Sequence, residues 1–218
     1  MTQLVLSPDD NSTTGSFPQS TRFPDRIRKF GRFIDTQVLE PGDVMLFADA
    51  RPTVLGNLIV STQKKLQFSQ DDSRWTHVAI YAGEEHICEA VVQGGIRYHP
   101  LHDYIGARLI RVRRDNSLAV DQRYRIVIRA MTQLRQQYGY LSALKIWRAA
   151  FASAGFFSRS IVPLIYPRNL VCSQLFADAY GAVTQKMLDS SFAFFTPAHV
   201  SATTKLIDVQ LHWWRVPP

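Results

Sequence analysis

Two neighbouring stretches, Thr76–Ala82 (THVAIYA) and Glu85–Val92 (EHICEAVV), are rich in strand-forming residues and alternate in character. Only a short loop around Gly83 separates them, which predicts an antiparallel hairpin. Gly94-Gly95 marks a second turn, after which Ile96-Arg97-Tyr98-His99 and then Arg108–Arg113 (RLIRVR) continue as strands. An earlier strand, Val44–Ala48, follows the turn Glu40-Pro41-Gly42-Asp43, and Leu55–Gln67 reads as a helix leading to the hairpin. Sequential strands joined by tight turns predict an antiparallel meander.

The pattern then changes to helical spacing. Over Val120–Tyr138, residues Val120, Tyr124, Val127, Ile128, Met131, Leu134 and Tyr138 predict one apolar face, ended by Gly139. Leu141–Ala154 repeats the period, and Phe156–Tyr166 is an apolar, irregular link. A further helix is expected from Pro167 onwards, with Asn169 as N-cap and Val171, Leu175, Phe176, Ala179 and Val183 as its buried stripe. A turn near Asp189–Ser191, a short helix opened by Thr196-Pro197 and a strand near Leu206–Leu211 complete the chain. Residues 1–24 are rich in Ser, Thr, Asp, Asn and Pro and read as a loose arm, with Asp25–Phe33 as a short basic helix. The expected organisation is an N-terminal arm, 1–38, and one α+β domain, 39–218: an antiparallel sheet packed by helices.

A chain of 218 residues with 46% apolar content can build a sizeable core without covalent staples. Two cysteines are too few for a disulfide framework, and no Cys-x-x-Cys or His-x-x-x-His spacing suggests a structural zinc. The formal charge of +7 favours acidic partners such as anionic lipid surfaces. The basic residues are scattered and carry no RNA-recognition, zinc-finger or helix-turn-helix signature, so nucleic acid is excluded as the expected partner. Met1–Arg22 lacks a basic segment followed by an apolar one, so no Sec leader is expected. Ala149–Tyr166 is interrupted by Ser153, Ser158, Arg159, Ser160 and Pro163 and does not read as a spanning helix. The expectation is synthesis in the cytoplasm, with any action on a target cell's envelope requiring a leaderless export route.

Cys172 falls in the first turn of its helix, where unpaired N–H groups and the positive end of the helix dipole favour a thiolate. Taken alone, it reads first as a small buried core residue, and the rest of the chain reverses that reading. His77 and Glu89 stand twelve apart across the hairpin. A loop of Ala82-Gly83-Glu84 sets them directly opposite, and a loop of Gly83-Glu84-Glu85 makes them diagonal neighbours. A two-residue turn would send them to opposite faces. Ile87, Glu89 and Val91 share one face of their strand; His86, Cys88 and Ala90 share the other. A glutamate among Ile, Ala and Val needs a partner, which His77 supplies, unless both are an ordinary surface pair. Glu84, Glu85 and His86 read as solvated turn residues, His99 and His102 as surface, His199 and His212 as without a role, and Cys88 as core. Cys172, His77 and Glu89 together form an activated-nucleophile set.

The order of these pieces carries a resemblance. Pro41-Gly42-Asp43-Val44, Thr76-His77-Val78-Ala79-Ile80-Tyr81, Glu89-Ala90, Gly95-Ile96 with Pro100-Leu101, Val171-Cys172-Ser173-Gln174-Leu175 and Thr196-Pro197 follow one another with the cysteine helix last. Over about residues 39–210 the chain resembles the circularly permuted NlpC-type branch of the papain-like superfamily, which contains the YiiX-like and YaeF-like amidases. Lecithin:retinol acyltransferase-like enzymes are similar at greater distance, with histidine as the third residue. The resemblance implies a permuted papain-like fold, Cys172 as nucleophile, His77 as base and Glu89 as the third polar residue. It implies no metal or organic cofactor.

The expected function is therefore a cysteine-dependent hydrolase or acyltransferase that cuts an acyl ester or amide bond through an acyl-enzyme. The apolar and basic stretch Leu141–Tyr166 departs from a compact family member and suggests peripheral membrane contact, which makes membrane lipid the first choice of substrate. A peptidoglycan amidase or endopeptidase is the alternative, and an inactive binding module of the same fold is a third reading. A leaderless hydrolase also fits an antibacterial effector with an immunity protein as partner.

Overall fold

Every side chain from Val44 to Ala48 is buried, because this strand runs through the middle of a sheet covered on both faces. The computed structural model describes residues 12–18, 21–49, 51, 53–91, 95–105, 108–133, 172–186 and 195–216. Their elements, in chain order, are β1 (Ser12–Ser16), α1 (Asp25–Arg28), β2 (Arg32–Ile34), β3 (Val44–Asp49), α2 (Val54–Lys65), α3 (Gln70–Ser73), β4 (His77–Gly83), β5 (His86–Val91), β6 (Gly95–Pro100), β7 (Arg108–Arg114), α4 (Val120–Met131), α5 (Cys172–Thr184), α6 (Pro197–Ala202), β8 (Ile207–Val209) and β9 (Leu211–Arg215). Short 3-10 turns lie at Thr36–Val38 and Leu101–Tyr104.

The larger sheet has the order β6-β5-β4-β3-β7-β8, and its recorded pairings are antiparallel. The expected meander holds for β3 to β6, but β7 returns to the far side of β3 instead of extending the row. Alternation along the strands divides the core in two. Val44, Leu46, Val78, Ile80, Cys88 and Ala90 pack with α4 and α5, through Ile126, Val127, Leu175, Phe176, Ala179 and Tyr180. Met45, Phe47, Ala79, Tyr81, Ile87 and Ile110 pack on the other side with Leu101, Tyr104 and Trp213.

Three expectations change in the structure. On α4 the buried residues are Arg123, Ile126, Val127 and Ala130, while Val120, Tyr124 and Ile128 are 68%, 51% and 58% exposed. The apolar stripe was therefore set about one residue out of phase, because Arg123 is taken inward by a bond from Nη2 to the Asp115 carbonyl. Ser12–Ser16, expected in a loose arm, is a strand parallel to β9, which also pairs with β2 on its other edge. Partners almost 200 residues apart leave no local signal, and Ser-Thr-Thr-Gly-Ser has no apolar alternation to reveal it. Gly15 has a specific purpose there: a Cβ would stand 2.9 Å from the Trp214 ring. The short basic helix ends at Arg28, and Arg32–Ile34 is strand. The helix expected to run to Tyr138 ends at Met131. Residues 134–138, the segments Leu141–Ala154 and Phe156–Tyr166, the proposed cap Asn169, Val171 and the turn at Asp189–Ser191 lie outside the described residues.

The Pro41-Gly42-Asp43 turn is held by an ion pair. Arg114, at the end of β7, donates to both oxygens of Asp43 at 2.6 Å, to Glu40 at 2.5 Å and to the Val38 carbonyl at 2.7 Å. Asp43 in turn accepts from the Glu40 N–H at 2.8 Å. Burial pushes the Asp43 carboxyl above its ordinary range despite the opposing pull of Arg114. Such a pair is costly to break on one side, since the other charge stays buried. Arg114→Met is expected to destabilise the protein by about 3–5 kcal/mol. Urea denaturation at neutral pH checks this; a loss well under 1 kcal/mol would show that the pair does not anchor the turn.

Candidate active site

His77 opens β4, and Glu89 lies in the middle of β5. The hairpin between them turns on two residues, Glu84 and Glu85, both with positive φ (49° and 61°), as a type I′ turn requires. A two-residue turn was the case expected to part His77 from Glu89. A bulge between Tyr81 and Gly83 adds a residue to β4 and restores the parity. Glu89 consequently pairs with Ala79, and His77 is its diagonal neighbour on the same face.

The geometry at Glu89 is dense. Its side chain is 0% exposed, and its Oε2 accepts from His77 Nε2 at 2.5 Å and from the Tyr104 hydroxyl at 2.6 Å. Oε1 accepts from His99 Nε2 at 2.7 Å and from Arg97 Nη2 at 3.3 Å. The His77 ring lies 6.0 Å from Phe47 and 6.1 Å from Tyr104, nearly parallel to the latter at 13°. Arg108 covers the outer side of the Tyr104 ring at 4.2 Å. Burial alone would raise the Glu89 carboxyl, but His77, Tyr104 and His99 together hold it at about 2.

Cys172 begins α5 and is buried on the helix-covered side of the sheet. Its sulfur bonds His77, and the backbone N–H groups of Val78 and Ser173 point at it. With Nε2 on Glu89, the ring nitrogen left for the thiol is Nδ1. Burial opposes charge on both partners. For His77 it is outweighed by the Cys172 sulfur and by Glu89, which push the imidazole up to about 9. For Cys172 it is outweighed by His77 and the two N–H groups, which lower the thiol. Cys88 has no such partners, and burial pushes its thiol up to about 12. The structure thus brings together Cys172, His77 and Glu89 and leaves Cys88 in the core.

Two further residues complete this cluster. His99, expected at the surface, is 17% exposed and turned onto Glu89. Tyr104, which no sequence pattern marks, brings its hydroxyl to the same carboxylate. The signal for His99 was present: Val91 pairs with Gly95, so Glu89 pairs with Arg97 and His99 is diagonal to it. Glu85, expected to be plainly solvated, accepts from His102 at 2.8 Å. His199 is buried, and its Nδ1 accepts from the Thr196 N–H at the start of α6.

An antiparallel sheet whose strand histidine meets a thiol at the start of a later helix is the papain-like hydrolase arrangement in permuted order. Residues 38–146, half of the chain, match the family described as permuted papain-like amidase enzyme, YaeF/YiiX, C92. The chain belongs to this family of hydrolases. The fold is similar to the crystal structure of metalloprotein yiiX from Escherichia coli O157:H7, with a TM-score of 0.50 at 18% identity over 78% of this chain and 96% of that one. A search of the curated proteins finds no match. Among the described residues no group of three or more His, Cys, Asp or Glu is arranged to hold a metal ion, and both oxygens of Glu89 already have donors. No described helix is long and apolar enough to cross a membrane.

The Glu89 cluster makes stability depend on acid. Its carboxyl is held at about 2 in the fold against an ordinary 4.5, so its stabilisation is full above 4.5 and is lost as pH falls towards 2. Unfolding free energy measured by urea denaturation is expected to fall through that window in the wild type. Glu89→Gln should flatten that fall, and equal slopes for the two proteins would contradict the bonding described.

Proposed function

We propose that the protein is a cysteine-dependent acyl hydrolase or acyltransferase in which Cys172 is the nucleophile, His77 the general base and acid, and Glu89 the residue that orients His77. The observation that carries this reading is the bonded chain Cys172–His77–Glu89, with the thiol lowered and the imidazole raised. The thiolate attacks the acyl carbon, a C–S bond forms, and the carbonyl electron pair moves to oxygen. The N–H groups near the sulfur are available to that oxyanion. Collapse breaks the C–N or C–O bond, and the leaving group takes the proton from His77. Water or another acceptor then attacks the thioester while His77 removes its proton, and the thiolate is released.

The substrate we propose is an acyl bond of membrane lipid. What supports it is composition: residues 141–166 lead in sequence towards Cys172 and carry Trp147, Phe151, Phe156, Phe157 and Tyr166 among Lys145, Arg148 and Arg159. Such a segment gains from apolar burial and from about 1 kcal/mol per basic residue at an anionic surface. A second reading, an amide bond of cell-wall peptide, is favoured by the amidase description of the family. In either case we place action at an envelope, with delivery as an antibacterial effector and an immunity partner as the proposed context.

Purified protein incubated with phospholipid vesicles is expected to yield free fatty acid or lysolipid by mass spectrometry. Cut stem peptides from peptidoglycan fragments, with lipid untouched, would replace the first substrate by the second. Cys172→Ala and His77→Ala should each lower turnover by about 10⁴-fold or more, and Glu89→Gln by less. Cys88→Ala should leave it near wild type.

The reactive ion pair exists above the lowered Cys172 value and below the His77 value of about 9. The rate of Cys172 carboxymethylation by iodoacetate, whose carboxylate favours a neighbouring imidazolium, should therefore fall as pH rises through about 9. No labelling of Cys172 above the rate of Cys88 at neutral pH would reject the mechanism.

A further inference from the structure

Glu89 serves two histidines, and the mechanism above uses one. His77 on β4 and His99 on β6 occupy diagonal positions on the two strands that flank β5, and each takes a different oxygen of the carboxylate. The far side of the His99 ring is also engaged: Nδ1 stands 3.2 Å from Asp103 Oδ2. A carboxylate only accepts hydrogen bonds, and a neutral imidazole has one N–H. The Nε2–H of His99 is committed to Glu89, as a donor to Oε1. A hydrogen-bonded row thus runs from His99 through Glu89 and His77 to Cys172. The other charged or titratable groups facing this row are Arg97 on Glu89 Oε1, Tyr104 on Glu89 Oε2, and Arg108 over the Tyr104 ring.

We propose that His99 is a positioning residue of this site, which holds Oε1 of Glu89 and shares its charge, so that Oε2 is left to His77 and the His77 proton stays transferable. This rests on the roles proposed above for Cys172, His77 and Glu89. Without His99, Glu89 would keep only Arg97 and Tyr104 beside His77 and would hold His77 more tightly. A general acid that must release its proton to a leaving group is then slowed, although the ion pair itself persists to higher pH. His99 thus has no contact with the reacting bond and acts through Glu89.

The test is the pH dependence of Cys172 carboxymethylation by iodoacetate in the full-length protein, comparing wild type with His99→Leu, His99→Phe, His99→Gln and Asp103→Asn. Removing the ring in His99→Leu should move the alkaline fall upward by about one pH unit. His99→Gln keeps an N–H donor and should move it less. Asp103→Asn alters only an exposed carboxylate and leaves the His99–Glu89 bond in place, so its midpoint should match the wild type. An unchanged midpoint in His99→Leu, with any effect confined to thermal stability, would overturn the inference. If His99→Leu does not fold, His99→Phe, which keeps a ring without an N–H donor, decides, and an unchanged midpoint there overturns it equally. A wild-type protein without any alkaline fall would instead reject the Cys172–His77 pairing itself.

Discussion

A fully buried carboxylate must find donors for both of its oxygens, and Glu89 finds them on three different elements. Its partners come from β4, from β6 and from the turn at Leu101–Tyr104. A buried charge this well bonded confines the hairpin, the third strand and the turn to one relative arrangement, since moving any of them removes a donor from a carboxylate that has no water to replace it. The orientation of His77 follows from it. With Nε2 committed to Glu89, only Nδ1 is left for the thiol on α5.

The two sides of the sheet divide the labour. The side covered by α4 and α5 is an apolar core from which Cys172 reaches the sheet, and the other side contains Glu89 in a setting of Phe47, Tyr81, Ile87 and Tyr104. His77 sits where β4 begins and can therefore bond a group on each side of the sheet. The smaller sheet supports this arrangement from outside. Phe33, on β2, lies 6.0 Å from the His102 ring, and His102 immediately precedes the Asp103 and Tyr104 that serve the cluster. The N-terminal segment thereby contributes to the surroundings of the site, which gives its strand pairing with the end of the chain a physical purpose.

The proposed chemistry needs only what this geometry supplies. A thiol bonded to an imidazole, with that imidazole bonded to a buried carboxylate, forms an ion pair near neutral pH. The substrate is decided elsewhere, by whatever surface adjoins the sulfur. The same catalytic set serves either bond, so lipid and cell-wall peptide are distinguished by product analysis rather than by the catalytic residues.

Local pattern determined much of the site. The alternation of Thr76–Ala82 and Glu85–Val92 was sufficient to pair two strands and to set Glu89 on an apolar face and Cys88 on the other. The stripe of Leu175, Phe176 and Ala179 likewise identified the helix that carries Cys172. Tertiary structure decided what depends on non-local partners. The bulge at Tyr81–Gly83 converted a turn that would have separated His77 and Glu89 into one that joins them, and a one-residue insertion has no signature in composition. His99 became part of the cluster through the second hairpin's register, although its own neighbours, Tyr98 and Pro100, look like surface. The phase of α4 was settled by Arg123, an amphipathic side chain turned inward to a backbone acceptor, against the apolar residues that sequence spacing had favoured. The pairing of Ser12–Ser16 with Leu211–Arg215 arose only when the ends of the chain met, because backbone hydrogen bonds are indifferent to the side chains that a pattern can read.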